Sequence, residues 1–481
     1  MFGYGELSPE EAAVELLNQI RFDCDERLDK IARYRRGKFR KPYAPGGLTA
    51  EDRDVMRRAR QPWCNVPGKA VAQTLSVEGW RSAGESQEDL TGSAEWRIWQ
   101  RSKMDAKQSV VHRAAADFGQ AFVLTELREG GAHIRVLSAQ YTSVLFEDVL
   151  SDSNALWALT VLSYPYQAGA GRAVPGRAVL WDRFKRYDLS LDFVSGSHGV
   201  TVVGTSVHGG NGHNPVTRFA ASLDDNGRVE GEIEPLFDWQ DAFTQALFNL
   251  LTVQKDSAFR TVYGTGLQDS YVTDELGRPV LDDMGRPIPV PVRMAPNTLL
   301  KATDPSSRFG VLEGSDQSGY ISTLRMLLEQ FAGLSQTPPS FLLGTMVNVG
   351  AEAMESAEKS FRRKVGLYQR MYGESWERVV RIGRVMEGDP ETELMEHGEV
   401  VWTDFDHYNL VGQAQALGTF ARELQVPPRG LWPLVPGVSA NMLDEWARLA
   451  DAQSDLVVQA DYDEVDWKVS DTGVEFDGLL Q

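Results

Sequence analysis

Four long segments of the chain repeat apolar residues every three or four positions, which is the spacing of an amphipathic helix. The first begins with Ser8 and Pro9, an N-cap residue followed by a proline at the first helical position, and the second covers 93–118. The third, 237–260, contains no Gly or Pro, and its apolar residues cover more than one face. The fourth, 351–386, is on the order of 50 Å long at ~1.5 Å per residue. A shorter helix is predicted from residue 318 to about 332.

Other segments have the two-residue alternation and β-branched residues of strands. Several such runs lie between Gly119 and Pro235 and predict a mixed α+β domain, with the segment 207–215 as a surface loop. Residues 264–318 are rich in Pro and contain Gly-Arg-Pro twice, at 277–279 and 285–287. This echo predicts two turns that flank short edge strands, hence a small projecting β module. The fold class predicted from the pattern is α+β.

Composition excludes several classes of protein. The 481 residues are 42% hydrophobic and 24% charged, which is ordinary for a folded globular protein. No apolar run is long enough for a membrane span, and no export signal is expected. Cys24 and Cys64 are the only cysteines and form no CxxC or Cys/His cluster, so neither a zinc ribbon nor a redox motif is predicted.

The net charge of -19 is distributed unevenly. Residues 1–60 carry 13 basic and 11 acidic residues, whereas 386–481 carry 4 basic and 20 acidic ones and end in a tail predicted to be loosely ordered. Proteins that grip DNA neutralise its phosphates with basic residues. The sequence therefore argues against tight, static binding of a duplex by the whole surface.

The candidates for chemistry are weak. No Walker A, dinucleotide-binding, HExxH or GxSxG motif is present. His198, His208 and His213 could meet in a Gly-rich loop and bind a metal, but solvated loop histidines are the favoured interpretation.

Two further clusters have a functional and a structural interpretation. The carboxylate pairs could act in acid–base chemistry, but their Gly and Asn neighbours favour turns; they are Asp224-Asp225, Asp282-Asp283 and Asp404 with Asp406. The basic stretch 33–41, interleaved with aromatic residues, could contact nucleic acid. Pairing of this stretch with Asp23, Asp25 and Asp29 is the favoured alternative.

The order of the motifs carries more information than any single motif. Leu-Ser-Gln-Thr-Pro-Pro at 334–339 precedes a helix that starts with small residues and Glu at 351–358. That helix then shows a Lys, Tyr-Gly and Trp register from Lys364 to Trp376, and Trp-Thr-Asp follows at 402–404. In this order the motifs resemble the portal proteins of tailed bacteriophages, in particular the siphophage family with many actinobacteriophage members. The resemblance is close over 230–430, although members often carry Asn-Pro-Ser where this chain has Asn348-Val349-Gly350.

The resemblance implies a portal fold with an α/β wing, a two-helix stem, a small β-containing clip, a long kinked wing helix and a mainly α-helical crown. It assigns these parts to the wing (1–235), first stem helix (236–260), clip (261–317), second stem helix (318–333), tunnel loop (334–350), long wing helix (351–385) and crown with acidic tail (386–481).

The resemblance also implies function. The chain is expected to form a ring, usually of twelve subunits, at one capsid vertex of the virion after assembly in the host cytoplasm, and to pass double-stranded DNA during packaging and ejection. Expected partners are the terminase large subunit, the head–tail adaptor, scaffolding protein and major capsid protein; no membrane, enzymatic activity, metal or cofactor is expected.

Particular residues are assigned to these contacts. DNA-facing loop residues are Thr345, Met346, Val347, Asn348 and Val349; clip residues are Arg278, Asp282, Asp283 and Arg286; stem residues packing between subunits are Phe243, Leu247, Phe248 and Leu251. The alternatives are a cytosolic metal-dependent hydrolase that uses His198, His208 and His213, and a head–tail structural adaptor without a conduit.

Overall fold

The computed structural model describes most of the chain and divides it into two compact units. The residues described are 7–44, 46, 49–81, 93–150, 154–169, 172–194, 197–258, 262–265, 271–288, 308–311, 316–338, 341, 351–389, 398–403, 410–432, 435 and 446–450. Unit 1 comprises 1–36, 64–235 and 335–481, and unit 2 comprises 37–63 and 236–334. The chain therefore leaves unit 1 twice, after Arg36 and after Pro235, and returns to it at Cys64 and at Ser335.

The N-terminal helix of unit 1 runs from Pro9 to Asp23, continues through a π-helical turn (Cys24–Leu28) and ends as a regular helix at Arg35. Its start has a capping box: the Ser8 hydroxyl accepts from the Glu11 N–H, and the Glu11 carboxylate accepts from the Ser8 N–H. The predicted start of this helix is confirmed.

This helix covers one face of a five-stranded antiparallel sheet. Its buried residues, including Leu16 and Ile20, pack with Leu159, Leu180 and Leu189 of the sheet. The strands lie side by side in chain order and are Thr142–Leu145, Trp157–Ser163, Gly176–Trp181, Lys185–Val194 and Ser197–Val207. The two-residue strands Tyr166–Gln167 and Ala173–Val174 form a separate ribbon.

A second sheet of three strands holds the main core of unit 1. Its strands, in spatial order, are Val216–Ala220, Gln120–Arg128 and Gly131–Leu137. Val66–Thr74, Ala94–Arg101, Met104–Phe118 and the long helix Ala351–Met386 contribute to the same core. The predicted single helix over 93–118 is wrong: it is broken at Ser102, and Lys103 adopts a left-handed φ of 55°. Val110, one of the apolar residues from which a helix over 93–118 is predicted, is 56% exposed and does not join the core.

Two distant strands complete unit 1. Val77–Arg81 pairs antiparallel with Glu399–Trp402, a pairing that the sequence pattern does not predict. The last described helices are Leu410–Glu423 and Pro428–Leu431.

Unit 2 is built mainly from helices. Ala50–Ala59 packs against the helix Phe237–Ala258, hereafter the outgoing helix, and Ser318–Ser335, hereafter the returning helix, ends at the boundary with unit 1. Val262–Thr265 pairs with Arg308–Val311. The predicted helices at 237–260, 318–332 and 351–386 are confirmed, with ends that differ by at most three residues. None of the helices described is both long and apolar enough to cross a membrane.

Candidate functional site

The predicted Gly-Arg-Pro echo forms a double turn over residues 271–288. In each turn an aspartate accepts two backbone N–H groups: Asp274 Oδ1 from Leu276 and Arg278, and Asp282 Oδ1 from Met284 and Arg286, at 2.8–3.0 Å. The two turns are followed by isolated bridges at Pro279 and Pro287. The Asp282 carboxylate therefore holds the turn, which confirms the turn interpretation for this carboxylate pair.

Three backbone hydrogen bonds close the double turn into a ring. Val280 N donates to Val272 O, Ile288 N donates to Val280 O, and Val272 N donates to Ile288 O, at 2.7–2.9 Å. Every residue from 271 to 288 is nonetheless exposed, and Leu276 and Met284 at the tips are 77% and 79% exposed. The double turn thus presents a defined backbone with Arg278, Asp283 and Arg286 on an open surface.

The outgoing helix is anchored inside unit 2 by aromatic contacts. The Trp239 indole N–H donates to the Leu327 carbonyl of the returning helix at 2.7 Å, and its ring stacks on Phe243 at 5.0 Å. Phe248 packs on Met56 and Ala59. Phe243 and Phe248 are therefore buried within the chain itself.

Leu247 and Leu251 of the same helix remain half-buried. Of the four residues assigned to packing between subunits, these two keep apolar surface for a neighbour. The inter-subunit role of all four residues stays a prediction.

One buried lysine of the long helix joins the residues on either side of the second excursion of the chain, 236–334, into unit 2. Lys364 Nζ donates to Glu232 Oε2 at 2.6 Å and to the Ser335 carbonyl at 2.7 Å. Glu232 also accepts from the Tyr368 hydroxyl at 2.7 Å. Burial lowers the pKa of Lys364, and the negative charge of Glu232 offsets part of this decrease. This group of four residues, the Lys364 clamp, lies wholly within unit 1.

The remaining motif residues of the long helix build its buried face. The Trp376 indole N–H donates to His112 Nε2 at 2.9 Å, and the Tyr372 ring stacks on His112 at 5.5 Å. Trp402 lies 5.6 Å from the same imidazole. Burial lowers the pKa of His112 to about 3, so this histidine is neutral. The register that carries the family resemblance thus specifies packing.

The basic stretch 33–41 pairs with a different residue from the one expected. Arg35 Nε lies 3.0 Å from Asp117 Oδ2, and Arg113 Nε lies 3.4 Å from the same oxygen. Asp117 is fully buried, and burial raises its pKa to about 6 against the two arginines. The expectation of Asp23, Asp25 and Asp29 as partners is wrong for Arg35, because the helix turns its side chain toward the core.

The alternative metal site is not formed among the described residues, where no group of three potential metal ligands occurs. His208 lies in the predicted loop, with Nε2 at 3.1 Å from the Asp182 carbonyl and Nδ1 accepting from the Gly210 N–H. His213 lies in the same loop, and the side chain of His198 falls outside the described residues. Asp224 caps a turn as Asp282 does, accepting from the N–H groups of Asn226 and Arg228, whereas Asp404 and Asp406 are not described.

The predicted DNA-facing residues Thr345, Met346, Val347, Asn348 and Val349 lie outside the described residues. Their contact with DNA therefore stays a prediction.

Comparison with known proteins adds independent information. The family model described as "Phage portal protein, SPP1 Gp6-like" matches residues 26–455. The portal protein of Mycobacterium phage L5 is 22% identical over 353 residues, covering 70% of this chain and 67% of that protein. The solved structure named "Neck of empty GTA particle computed with C6 symmetry" aligns over 82% of this chain and 95% of its own, at 12% identity. The TM-score of this alignment is 0.38.

The family match covers most of both compact units, from within the π-helical turn to beyond the last described helix, and leaves out the helix Pro9–Asp23. It agrees with the ordered motifs that suggested the resemblance. The chain therefore belongs to the phage portal protein family, SPP1 Gp6-like, a family of structural proteins of the phage capsid.

Proposed function

We propose that this chain assembles into a ring of identical subunits, twelve in the virion, that forms a conduit for double-stranded DNA at one capsid vertex. The observation that carries the proposal is the match of residues 26–455 to the portal family. A head-to-tail contact that closes on itself produces a ring, and it needs a helix with apolar surface beyond its own core. Leu247 and Leu251 of the outgoing helix meet that need.

The charge of the chain supports a sliding duplex. DNA carries about one negative charge per 1.7 Å, and binding strength grows with the number of phosphates neutralised. A chain of net charge -19 offers few such contacts, so the duplex passes at small cost. The uncharged residues Thr345, Met346, Val347, Asn348 and Val349 are proposed to touch it.

The double turn is proposed as the clip surface, which meets the terminase large subunit during packaging and the head–tail adaptor afterwards. It is exposed throughout, and its backbone ring holds Arg278 and Arg286 in fixed positions. Scaffolding and major capsid proteins are proposed to meet other parts of the ring, assembly is proposed to occur in the host cytoplasm, and no catalysis is assigned to the chain.

Mass and symmetry test the proposal directly. Negative-stain images of the purified chain should show rings with a central hole, and light scattering should give a mass near a multiple of 53.5 kDa. Leu247→Asp with Leu251→Asp should abolish the rings, while the exposed control Leu367→Asp should leave them intact. A chain that stays monomeric under every assembly condition contradicts the conduit, and a closed ring without a hole would favour the structural adaptor.

Two variants separate DNA passage from docking. Deletion of residues 345–349 should leave the rings intact and change DNA packaging. Arg278→Glu with Arg286→Glu should weaken terminase binding, because charge complementarity governs such encounters. Unchanged packaging or unchanged binding would remove the corresponding segment from the mechanism.

A further inference from the structure

A pocket of about 330 Å³ in unit 1 combines three arginines with an apolar wall. It lies between the strand Val216–Ala220 and the long helix. Its charged lining is Arg218, Arg378, Arg381 and Glu374, and its apolar wall is Phe146, Val149, Leu150, Ala220, Leu223 and Met371. The pocket is therefore electropositive on one side and apolar on the other.

Arg218 is the central charge of this pocket. Its guanidinium lies over the Phe146 ring at 4.5 Å, and no carboxylate lies within ion-pair distance of it among the described residues. Burial alone lowers its pKa to about 10, which is still far above neutrality. A half-buried, charged guanidinium without a carboxylate is costly in a chain of net charge -19.

The neighbouring Thr217 is a second polar residue of this strand whose side chain lacks a partner among the described residues. Thr217 also lines the pocket, is 2% exposed, and its hydroxyl has no hydrogen-bond partner among the described residues. Buried hydroxyls almost always have a partner, from protein or water. Successive side chains of a strand point to opposite faces, so the Arg218 guanidinium, and not the Thr217 hydroxyl, is the group that meets an occupant on the Phe146 side.

The pocket selects its occupant by size and by character. A duplex is too wide to enter a cavity of about 330 Å³, whereas one or two side chains fit. The arginines favour a carboxylate, which a guanidinium can bind through two parallel hydrogen bonds. The apolar wall, with Leu150 at 56% and Leu223 at 39% exposure, favours an adjacent aromatic side chain.

The C-terminal segment of this chain has both features. Residues 461–477 contain seven acidic residues, one lysine and the aromatic residues Tyr462, Trp467 and Phe476. We propose that the acidic, aromatic segment 461–477 docks in the Arg218 pocket, with its carboxylates on the arginines and an aromatic ring on the apolar wall.

Hydrogen exchange on the full chain tests the docking. Amides of 461–477 should exchange at least ~10-fold faster in Arg218→Glu than in the parent chain. A 10-fold protection corresponds to a docking free energy of about 1.4 kcal/mol. Arg381→Glu, at a half-exposed position of the same pocket, should also speed the exchange of these amides. This variant replaces Arg218→Glu in the test if Arg218→Glu does not fold. The matched control is Arg363→Glu, an exposed position on the same helix that does not line the pocket, which should leave the exchange unchanged.

A photo-crosslinking residue at position 462 locates the contact. Cross-links to Leu150, Leu223 or Met371 that disappear in Arg218→Glu support the proposal. Unprotected tail amides in the parent chain, or cross-links only to other surfaces, overturn it. If the pocket variants leave tail exchange unchanged but weaken binding of a 20-base-pair duplex, the pocket serves nucleic acid and the proposal is also overturned. These results do not depend on ring formation, so failure of this proposal and of the conduit are distinguishable.

Discussion

The Lys364 clamp predicts a large and specific loss of stability when its ammonium is removed. Lys364→Met keeps the length of the side chain and deletes the charge, so Glu232 is left buried with only the Tyr368 hydroxyl as a side-chain partner. The side chains of Lys364 and Glu232 are 7% and 12% exposed, so solvent cannot replace the lost partner.

The magnitude follows from the burial of the pair. Breaking a buried ion pair by removing one partner costs ~3–5 kcal/mol, chiefly because the remaining charge is uncompensated. The carbonyl of Ser335, the last residue of the returning helix, also loses its shorter hydrogen bond, 2.7 Å from Lys364 Nζ, and keeps the Thr337 hydroxyl at 3.2 Å. At ~2–4 °C per kcal/mol for a unit of this size, the melting temperature of unit 1 should fall by roughly 10 °C.

The assay is thermal and urea unfolding of the purified chain followed by tryptophan fluorescence, which reports on Trp376 and its neighbours. Arg363→Met, an exposed cation one residue away on the same helix, is the control and should change stability by less than ~0.5 kcal/mol. Glu232→Gln combined with Lys364→Met should recover part of the loss, since no bare carboxylate then remains. A Lys364→Met loss no larger than that of the control, or a double variant no better than the sum of the single ones, would refute the argument.

Three further outcomes are expected. Because the pKa of His112 is lowered to about 3 from an unfolded value of 6.5, unfolded chains bind more protons between these values, so stability should fall as pH drops from 6.5 toward 3. His112→Gln, which keeps an acceptor for Trp376, should reduce that slope in pH-dependent urea titrations. Asp117 acts in the opposite sense: its raised pKa of about 6 makes stability fall as pH rises from about 4 to 6, and Asp117→Asn should remove this component. Gly285→Ala should cost ~1–2 kcal/mol locally, because φ is +76° there, and hydrogen exchange of the double turn should accelerate without a change in the rest of unit 2.

The helices of unit 2 and the long helix were predictable because their apolar residues repeat locally. From Phe361 to Met386 the predicted face, including Val365, Tyr372 and Trp376, is buried. The double turn was predictable for a similar reason, since Gly-Arg-Pro at a spacing of eight residues determines a local turn. In each case the interactions that form the structure lie within a few positions of one another.

Pairings between distant segments were not predictable. The strand Val77–Arg81 meets Glu399–Trp402 more than 300 residues away, and no local period encodes such a partner. The break at Ser102 and Lys103 was not predictable because Met104 continues the apolar pattern across it. The Ser102 hydroxyl donates to the Ile98 carbonyl and accepts from the Ile134 N–H. Tertiary hydrogen bonds here override a local propensity for one continuous helix.

The clamp and the Asp117 cluster did leave a signal in the sequence. Lys364 lies between Phe361 and Val365 on the apolar stripe of the long helix. Asp117 lies between the buried residues Ala116 and Phe118 at the end of the helix Met104–Phe118. A charged residue at a core position implies a buried partner, because an unpaired charge there is too costly. The sequence thus shows that such a partner must exist but not which residue it is.

The position of the clamp links these buried charges to the proposed conduit. Lys364 binds residues on either side of segment 236–334 of unit 2, Glu232 before it and Ser335 after it, so one side chain holds both ends of that segment. A force applied to this segment by a motor docked as proposed reaches the chain of unit 1 at these two ends. A polar clamp suits that load better than apolar packing, because its hydrogen bonds have defined directions and break only at the cost of exposing or orphaning a charge. Lys364→Met rings that assemble normally should therefore fail in packaging before they fail in assembly, whereas equal loss of both would show that the clamp serves folding alone.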